Sequence, residues 1–316
     1  MKAKQSISDV KPDAIEKLIY KVDCLEYQGK QCYYRSCSNS PIMSHTIPRN
    51  YLYKLDSDLK NVLTFESAMS AIAKKQMPVI MKQVNQGKFS SFRGFCQEHD
   101  CSLFKVIDNY DGEVTQEKIA LVHYRNICYG VNHIQTQKLR LSHVSMQQFV
   151  ETQPAPEEIH KLVKKIQNGG LVNRLNYCLN EHLKRKKKLE HIIQTHSFDE
   201  IEYRVLYGSR DDPIFSGRSA YLLHKNHGLF KSPGYSHMPW ITYMTLLTKQ
   251  TNDLVFCWLK GDEFYAKNLN NLLKKEEYKK TIGGLAYACS DAFAVKRETY
   301  EKNSSLIAAL NNFRVY

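Results

Sequence analysis

The chain has 316 residues, which is enough for one large domain or for two or three smaller ones, and for a core that folds without disulfides. Its composition, 42% hydrophobic and 24% charged, excludes a disordered chain and a low-complexity repeat. The 45 Lys and Arg residues outnumber the 32 Asp and Glu residues, which gives a net charge of +13. This excess predicts a polyanionic partner, and nucleic acid is expected before a membrane surface.

The amino terminus, MKAKQSISDVKPDAIEKL, has no apolar core of the length that a signal peptide needs. No stretch of the sequence approaches 18 uncharged apolar residues, so we expect no membrane-spanning segment. Nine cysteines are an odd number, which suits a disulfide framework poorly. We therefore expect a cytoplasmic protein whose cysteines are thiols or metal ligands.

In chain order, the first third of the sequence is small and turn-rich. Apolar residues at helical spacing, after Pro12, predict a helix over 13–27, which ends at Gly29. Residues 30–50 contain two cysteines and two prolines and are read as short turns. Beyond them the pattern predicts a short helix at 67–76 and strands at 61–66, 78–84 and 91–95.

The rest of the chain reads first as helical and then as mixed. The predicted helices of the middle are 116–132, 157–167 and 173–196. The last third has predicted strands at 202–208 and 254–260, a strand or buried segment at 240–248, and helical stretches at 264–277 and roughly 278–303. The fold class expected is α+β. Its three regions are 1–112, 113–200 and 201–316.

The cysteines divide into two groups. Five stand alone in apolar or helical surroundings, and these are expected to be core residues. They are Cys24, Cys128, Cys178, Cys257 and Cys289. The other four accompany histidines, and they are Cys32, Cys37, Cys96 and Cys101.

A zinc site is predicted from Cys32, Cys37, Cys96 and His99. Zinc takes four sulfur or imidazole ligands in a tetrahedron. A turn supplies the first two ligands, and a C-x-x-H motif at the start of a helix supplies the other two. Cys101 competes with His99 for the fourth position. The other interpretation is a set of buried thiols. However, the segment 28–50 is poor in large apolar side chains, so we expect it to need a bound metal for stability.

The order Cys…Cys, then Ser44-His45-Thr46-Ile47-Pro48, then C-x-x-H-D ending at Asp100, resembles the zinc-bearing form of the HNH endonucleases. The resemblance covers about residues 28–110 and implies a treble-clef or ββα-metal module. It implies that His45 is the general base and that Asp100 is a ligand of a catalytic Mg²⁺ or Mn²⁺. The chemistry implied is metal-assisted hydrolysis of a phosphodiester.

The sequence departs from that family's pattern in two places. Ser44 stands where the family has a metal-binding Asp, and 50 residues separate His45 from Cys96, which implies an insertion at about 55–88. The segments S-H-x-I-P and G-F-C-x-x-H-D-x-x-L-F-x-x-I-D also resemble a family of uncharacterised bacterial proteins. Its final acidic position corresponds to Asp108, which is either a further acidic ligand or a residue of a turn or helix end.

Five consecutive cations lie in the predicted helix at 173–196. They are either a solvated helix face or a surface that contacts phosphates. They are Lys184, Arg185, Lys186, Lys187 and Lys188.

The leading functional hypothesis is therefore a metal-dependent, HNH-like nuclease that acts on DNA or RNA. The alternative is a catalytically inactive, zinc-containing nucleic-acid-binding protein. By analogy, either could belong to bacterial antiviral defence or to a toxin system. A third hypothesis is a protein-interaction component whose charge serves solubility. Motifs for nucleotide hydrolysis, dinucleotide binding and serine esterase chemistry are absent from the sequence.

Overall fold

The computed structural model describes residues 24–55, 61–65, 81–85, 87–108, 113–143, 169–207, 214–220, 241–262, 271, 274 and 292–302. Helices and strands are mixed along the chain, which confirms the α+β class. The predicted helices at 67–76 and 157–167 lie outside the described residues, as do nearly all of the helical stretch at 264–277 and residues 13–23 of the first helix. Residues 24–27, where that helix was predicted to end, form a turn followed by chain without regular secondary structure.

Among the described residues, short strands and helices alternate in the first third of the chain, long helices occupy the middle, and strands dominate the last third. The strands are β1 (Met43–His45), β2 (Asn61–Phe65), β3 (Met81–Asn85), β4 (Ser91–Arg93), β5 (Ile201–Leu206), β6 (Ile214–Ala220), β7 (Ile241–Leu247), β8 (Asn252–Leu259) and β9 (Ala292–Val295). The helices are α1 (Arg49–Leu55), α2 (Gln97–Leu103), α3 (Lys105–Asp108), α4 (Gln116–His143), α5 (Gly170–Thr195) and α6 (Arg297–Lys302), with a 3₁₀ turn at Phe198–Glu200.

Two sheets organise the described chain. A small antiparallel pair joins β1 to β4 and places His45 opposite Ser91. A sheet of seven strands has the order β3-β2-β9-β6-β7-β8-β5, and its strand pairs are antiparallel. Strands β2 and β3 fall within the predicted insertion at 55–88. This segment therefore contributes two strands to the large sheet, and β2 lies next to β9 from the far end of the chain.

Strands β7 and β8 of the large sheet are buried on both faces. Every residue of β7 and β8 is buried, and their sequences ITYMTLL and NDLVFCWL are rich in β-branched and aromatic residues, which favour strands. Within the predicted segment 240–248, Ile241–Leu247 is thus both a strand and buried, and residue 240 lies outside the described residues. Trp258 lies fully inside and donates its indole N–H to Glu202, 3.2 Å away, so its polar atom is satisfied.

One hydrophobic core runs through all three predicted regions. It includes Phe95 next to the cysteine cluster, Ile127 of α4, Leu189 of α5 and Val255 of β8. Helix α4 packs along α5 and extends well beyond the predicted end at residue 132. No helix in the described part of the chain is long and apolar enough to cross a bilayer.

The structure corrects several predictions. Residues 278–291 and 303 of the predicted helical stretch at 278–303 lie outside the described residues. Its described part contains strand β9 and the helix α6 at Arg297–Lys302. Alanines in β9 favour a helix locally, but pairing with β2 and β6 and burial inside the sheet outweigh that preference. Strands β1 and β6 and helix α1 were not predicted. Cys24 is exposed rather than part of the core, Cys178 is half-buried, and Cys128 and Cys257 are buried as expected.

Candidate metal centre and its surroundings

The structure brings together Cys32, Cys37, Cys96 and His99. Their three sulfur atoms and one imidazole nitrogen lie within 4.8 Å of one another. The Sγ atoms of Cys37 and Cys96 are 3.8 Å apart. Nδ1 of His99 lies 3.6 Å from Sγ of Cys32 and 3.2 Å from Sγ of Cys96. Cys101, the competing ligand, is exposed and does not belong to this group.

These separations suit a tetrahedral zinc ion. Zinc–sulfur bonds of about 2.3 Å and zinc–nitrogen bonds of about 2.0–2.1 Å place two sulfurs about 3.8 Å apart and a sulfur and a nitrogen about 3.6 Å apart. The Cys37–Cys96 and Cys32–His99 separations have these values. Three thiols and an imidazole also favour zinc over the hard cations Mg²⁺ and Ca²⁺, which prefer oxygen. The cluster can therefore hold a metal ion such as zinc.

A tight loop carries the first pair of ligands. The backbone N–H of Cys32 donates to the carbonyl of Asn39, and the N–H of Cys37 donates to that of Tyr34, which closes the loop. Ser36 has a φ of 61°, a left-handed conformation that a non-glycine residue adopts only where its surroundings hold it there. The loop thus places both sulfur atoms on one side.

The second pair lies at the start of α2. Cys96 directly precedes the helix and His99 lies three residues later, so both point from the same face of the first turn. The ring of Tyr34 stacks on that of His99, with centroids 4.2 Å apart, and fixes its orientation. Gly94 is required just before this turn, because a Cβ there would lie 2.2 Å from the ring of Phe92.

Burial and hydrogen bonds shift the pKa of two thiols of the cluster, those of Cys32 and Cys96, in opposite directions. Sγ of Cys32 accepts hydrogen bonds from the backbone N–H groups of Tyr34 and Cys96, at 3.4 and 3.3 Å. Burial nevertheless raises the pKa of Cys32 to about 12. Burial also acts to raise the pKa of Cys96, but hydrogen bonds from His99 and the two other thiols outweigh it and lower the pKa to about 6. A metal ion would stabilise all three thiolates together.

His45, Ser44 and Asp100, which the HNH resemblance singled out, lie close to this cluster. Ser44 is fully buried, and its hydroxyl accepts the N–H of Phe95 at 3.3 Å. Burial raises the pKa of Asp100, against the effects of Arg125 and of a hydrogen bond from Ser44. Ser44 thus connects β1 to the segment directly before α2.

His45 lies at the end of β1 and carries an unsatisfied polar atom. Its Nε2 is buried and has no hydrogen-bond partner among the described residues. Burial lowers the pKa of His45, and the positive charges of Arg125 and Arg49 lower it further. The imidazole therefore binds a proton less readily than a free histidine side chain. A cavity of about 490 Å³ does open beside α2 and α3, but neither His45 nor Asp100 lines it.

Arg125 belongs to this region, although its sequence context did not single it out. It lies on α4 and is 2% exposed. Its Nη1 lies 2.8 Å from Oδ1 of Asp108, its Nη2 lies 3.7 Å from Oδ1 of Asp100, and its guanidinium lies over the Phe104 ring, 4.1 Å from the centroid. The sequence contained one indication that Arg125 is buried. Arg125 follows Val122 by three positions, on the apolar side of the predicted helix.

The five consecutive cations of α5 are largely engaged in ion pairs within the chain. Arg185 binds Glu181 and Asp262 at 2.8 and 3.0 Å, and Lys186 binds Glu190 at 2.6 Å. Lys184 and Lys188 also have acidic partners, at 2.9 and 3.6 Å. Lys187 is exposed and makes no ion pair with a described residue. Much of the charge of this run is thus neutralised locally.

Comparisons with models of protein families, with curated proteins and with solved structures found no match to this chain.

Proposed function

We propose that this chain binds nucleic acid and that a structural zinc ion stabilises its fold. The Cys₃His cluster supplies four protein ligands, which is the arrangement of a structural zinc site, whereas a catalytic zinc keeps one position open. In this proposal the ion holds the loop of Cys32 and Cys37 against α2 and thereby orders the surface formed by the described residues of 24–108.

The charge of that surface is the observation that carries the nucleic-acid proposal. Among the described side chains of 24–108, exposed cations far outnumber exposed carboxylates. The cations are Lys30, Arg35, Arg49, Lys54, Lys88, Arg93 and Lys105, and the carboxylates are Glu26 and Glu98. Such an excess attracts phosphates and releases counterions on binding, so the affinity falls as salt rises.

A binding experiment tests this proposal. Fluorescence anisotropy with labelled single- and double-stranded DNA and RNA should show binding that weakens with rising salt. Arg35→Gln should weaken binding because Arg35 lies exposed in the loop between two ligands. Arg204→Gln is the control, since it removes one exposed cation from β5 in the large sheet. Equal losses in both variants, or binding indifferent to salt, would contradict the proposal.

The second candidate function is a metal-dependent nuclease in which His45 activates water. The unpartnered, buried Nε2 of His45 and the nearby carboxylate of Asp100 favour it. General-base catalysis typically contributes about 10²–10⁴-fold in rate, so His45→Ala should lose cleavage of a plasmid in Mg²⁺ or Mn²⁺ by that factor. Equal cleavage by the wild type and His45→Ala would remove His45 from the mechanism. Binding without cleavage by either protein would favour the first proposal.

A further inference from the structure

A buried cation lies between the acidic side chains of α2 and α3. Arg125 is held by two carboxylates, Asp108 at 2.8 Å and Asp100 at 3.7 Å. A guanidinium does not lose its proton in a protein, so this position is permanently positive. Removing the carboxylates would leave the buried guanidinium uncompensated, whereas the side chains of Asp100 and Asp108 are 19% and 37% exposed.

Arg125 interacts more closely with Asp108 than with Asp100, and this difference affects how Asp100 could bind another cation. Asp108 receives two hydrogen bonds from Arg125, at 2.8 and 3.5 Å. Oδ1 of Asp100 receives none from a described residue, although it is buried, and Nε of Arg125 is likewise buried without a partner. Arg125 therefore supplies Asp100 with charge rather than with a hydrogen bond. A divalent cation would compete for this same carboxylate oxygen.

We infer that Arg125 is a built-in counter-ion that prevents Asp100 and Asp108 from binding a divalent cation. A second cation at Asp100 would lie close to the guanidinium, and at this partly buried carboxylate, 19% exposed, like charges repel more strongly than in bulk water. Arg125 is thus a positioning residue that keeps the region around His45 without a catalytic metal. The inference deepens the proposed function, because it gives a reason why this site would bind nucleic acid without cutting it.

Titration with Mn²⁺, followed by electron paramagnetic resonance on the zinc-loaded full chain, tests this inference. Arg125→Gln should bind Mn²⁺ about tenfold or more tighter than the wild type, because it removes the repulsion. Arg125→Lys keeps the charge and should bind Mn²⁺ as the wild type does. Adding Asp100→Asn to Arg125→Gln should abolish the gain. A folded Arg125→Gln that gains no affinity, or equal gains in the Gln and Lys variants, would overturn the inference.

If Arg125→Gln does not fold, a comparison of the wild type with Asp100→Asn still tests the inference. Wild type and Asp100→Asn should then show the same weak Mn²⁺ binding. Tight binding by the wild type that Asp100→Asn removes would overturn the inference. Anisotropy with nucleic acid is measured separately on the wild type. A gain of Mn²⁺ binding in Arg125→Gln would therefore support the counter-ion role even if no nucleic acid were bound.

Discussion

The Sγ atoms of Cys37 and Cys96 lie 3.8 Å apart, although 59 positions separate these residues in the sequence. The chain between them leaves the small β1–β4 pair, contributes β2 and β3 to the large sheet and returns at β4. A metal ion bound by both sulfurs would therefore close a long loop whose chain passes through both sheets. Closing such a loop is unfavourable in entropy, and metal binding would offset that cost.

The stability of the chain should depend on the cluster and not on cysteines in general. Cys37→Ser removes one of four ligands and should lower the melting temperature by several degrees and make it insensitive to chelators. Cys101→Ser is the matched control, since Cys101 is exposed and lies outside the cluster. Differential scanning calorimetry with and without a chelator measures both. Equal shifts in the two variants would contradict this assignment of the ligands.

Phe95 should be a major contributor to stability. It is fully buried and packs edge-on against Phe104, with ring centroids 4.7 Å apart, and against Tyr124 of α4 at 5.7 Å. Truncating a buried Phe to Ala costs about 3–5 kcal/mol, so urea denaturation in excess zinc should show that loss for Phe95→Ala. Tyr53→Ala is the control, because Tyr53 is 44% exposed and should cost far less. Similar losses in both variants would argue against a core centred on these aromatic rings.

His123 should make the protein sensitive to acid. Burial lowers the pKa of His123 to about 3, and the charges of Arg185 and His182 act in the same direction. Between the ordinary pKa of 6.5 and about 3, the unfolded chain binds a proton here that the folded chain does not. The free energy of unfolding therefore falls as the pH falls, by up to about 1.4 kcal/mol per pH unit.

His123→Gln should flatten this dependence. Urea unfolding at pH 7 and pH 5 should show a smaller loss for the variant than for the wild type. The exposed His191, on α5, provides the control, and His191→Gln should follow the wild type. If His123→Gln and wild type lost the same free energy over this range, His123 would not be the group that resists protonation.

Within the five consecutive cations of α5, the exposed Lys187 should matter most for phosphate contacts. If it contacts a phosphate, Lys187→Ala should reduce the slope of log affinity against log salt by about 1. Lys186 is bound to Glu190 and only 15% exposed, so Lys186→Ala should leave the slope unchanged. Anisotropy over a series of salt concentrations measures both slopes. A slope that is lower in both variants, or in neither, would show that Lys187 is not a specific phosphate contact.

The sequence was sufficient to find the four members of the cluster, because metal-ligand types at short spacings are a local signal. The position of Arg125 depends on Asp108, 17 residues earlier, and on packing against Phe104, which spacing alone does not reveal. The large sheet was harder to predict for the same reason. Strand β9 lies between β2 and β6, which come from distant parts of the chain, so its pairing outweighs a local preference for helix.

We propose that one zinc ion is bound by the Cys₃His cluster. Native mass spectrometry of the chain purified without added metal tests it most directly, with Cys37→Ser and Cys101→Ser measured beside the wild type. We expect one zinc per chain in the wild type and in Cys101→Ser, and loss of zinc in Cys37→Ser. Wild-type protein that folds fully and contains no zinc, or zinc retained undiminished in Cys37→Ser, would contradict it.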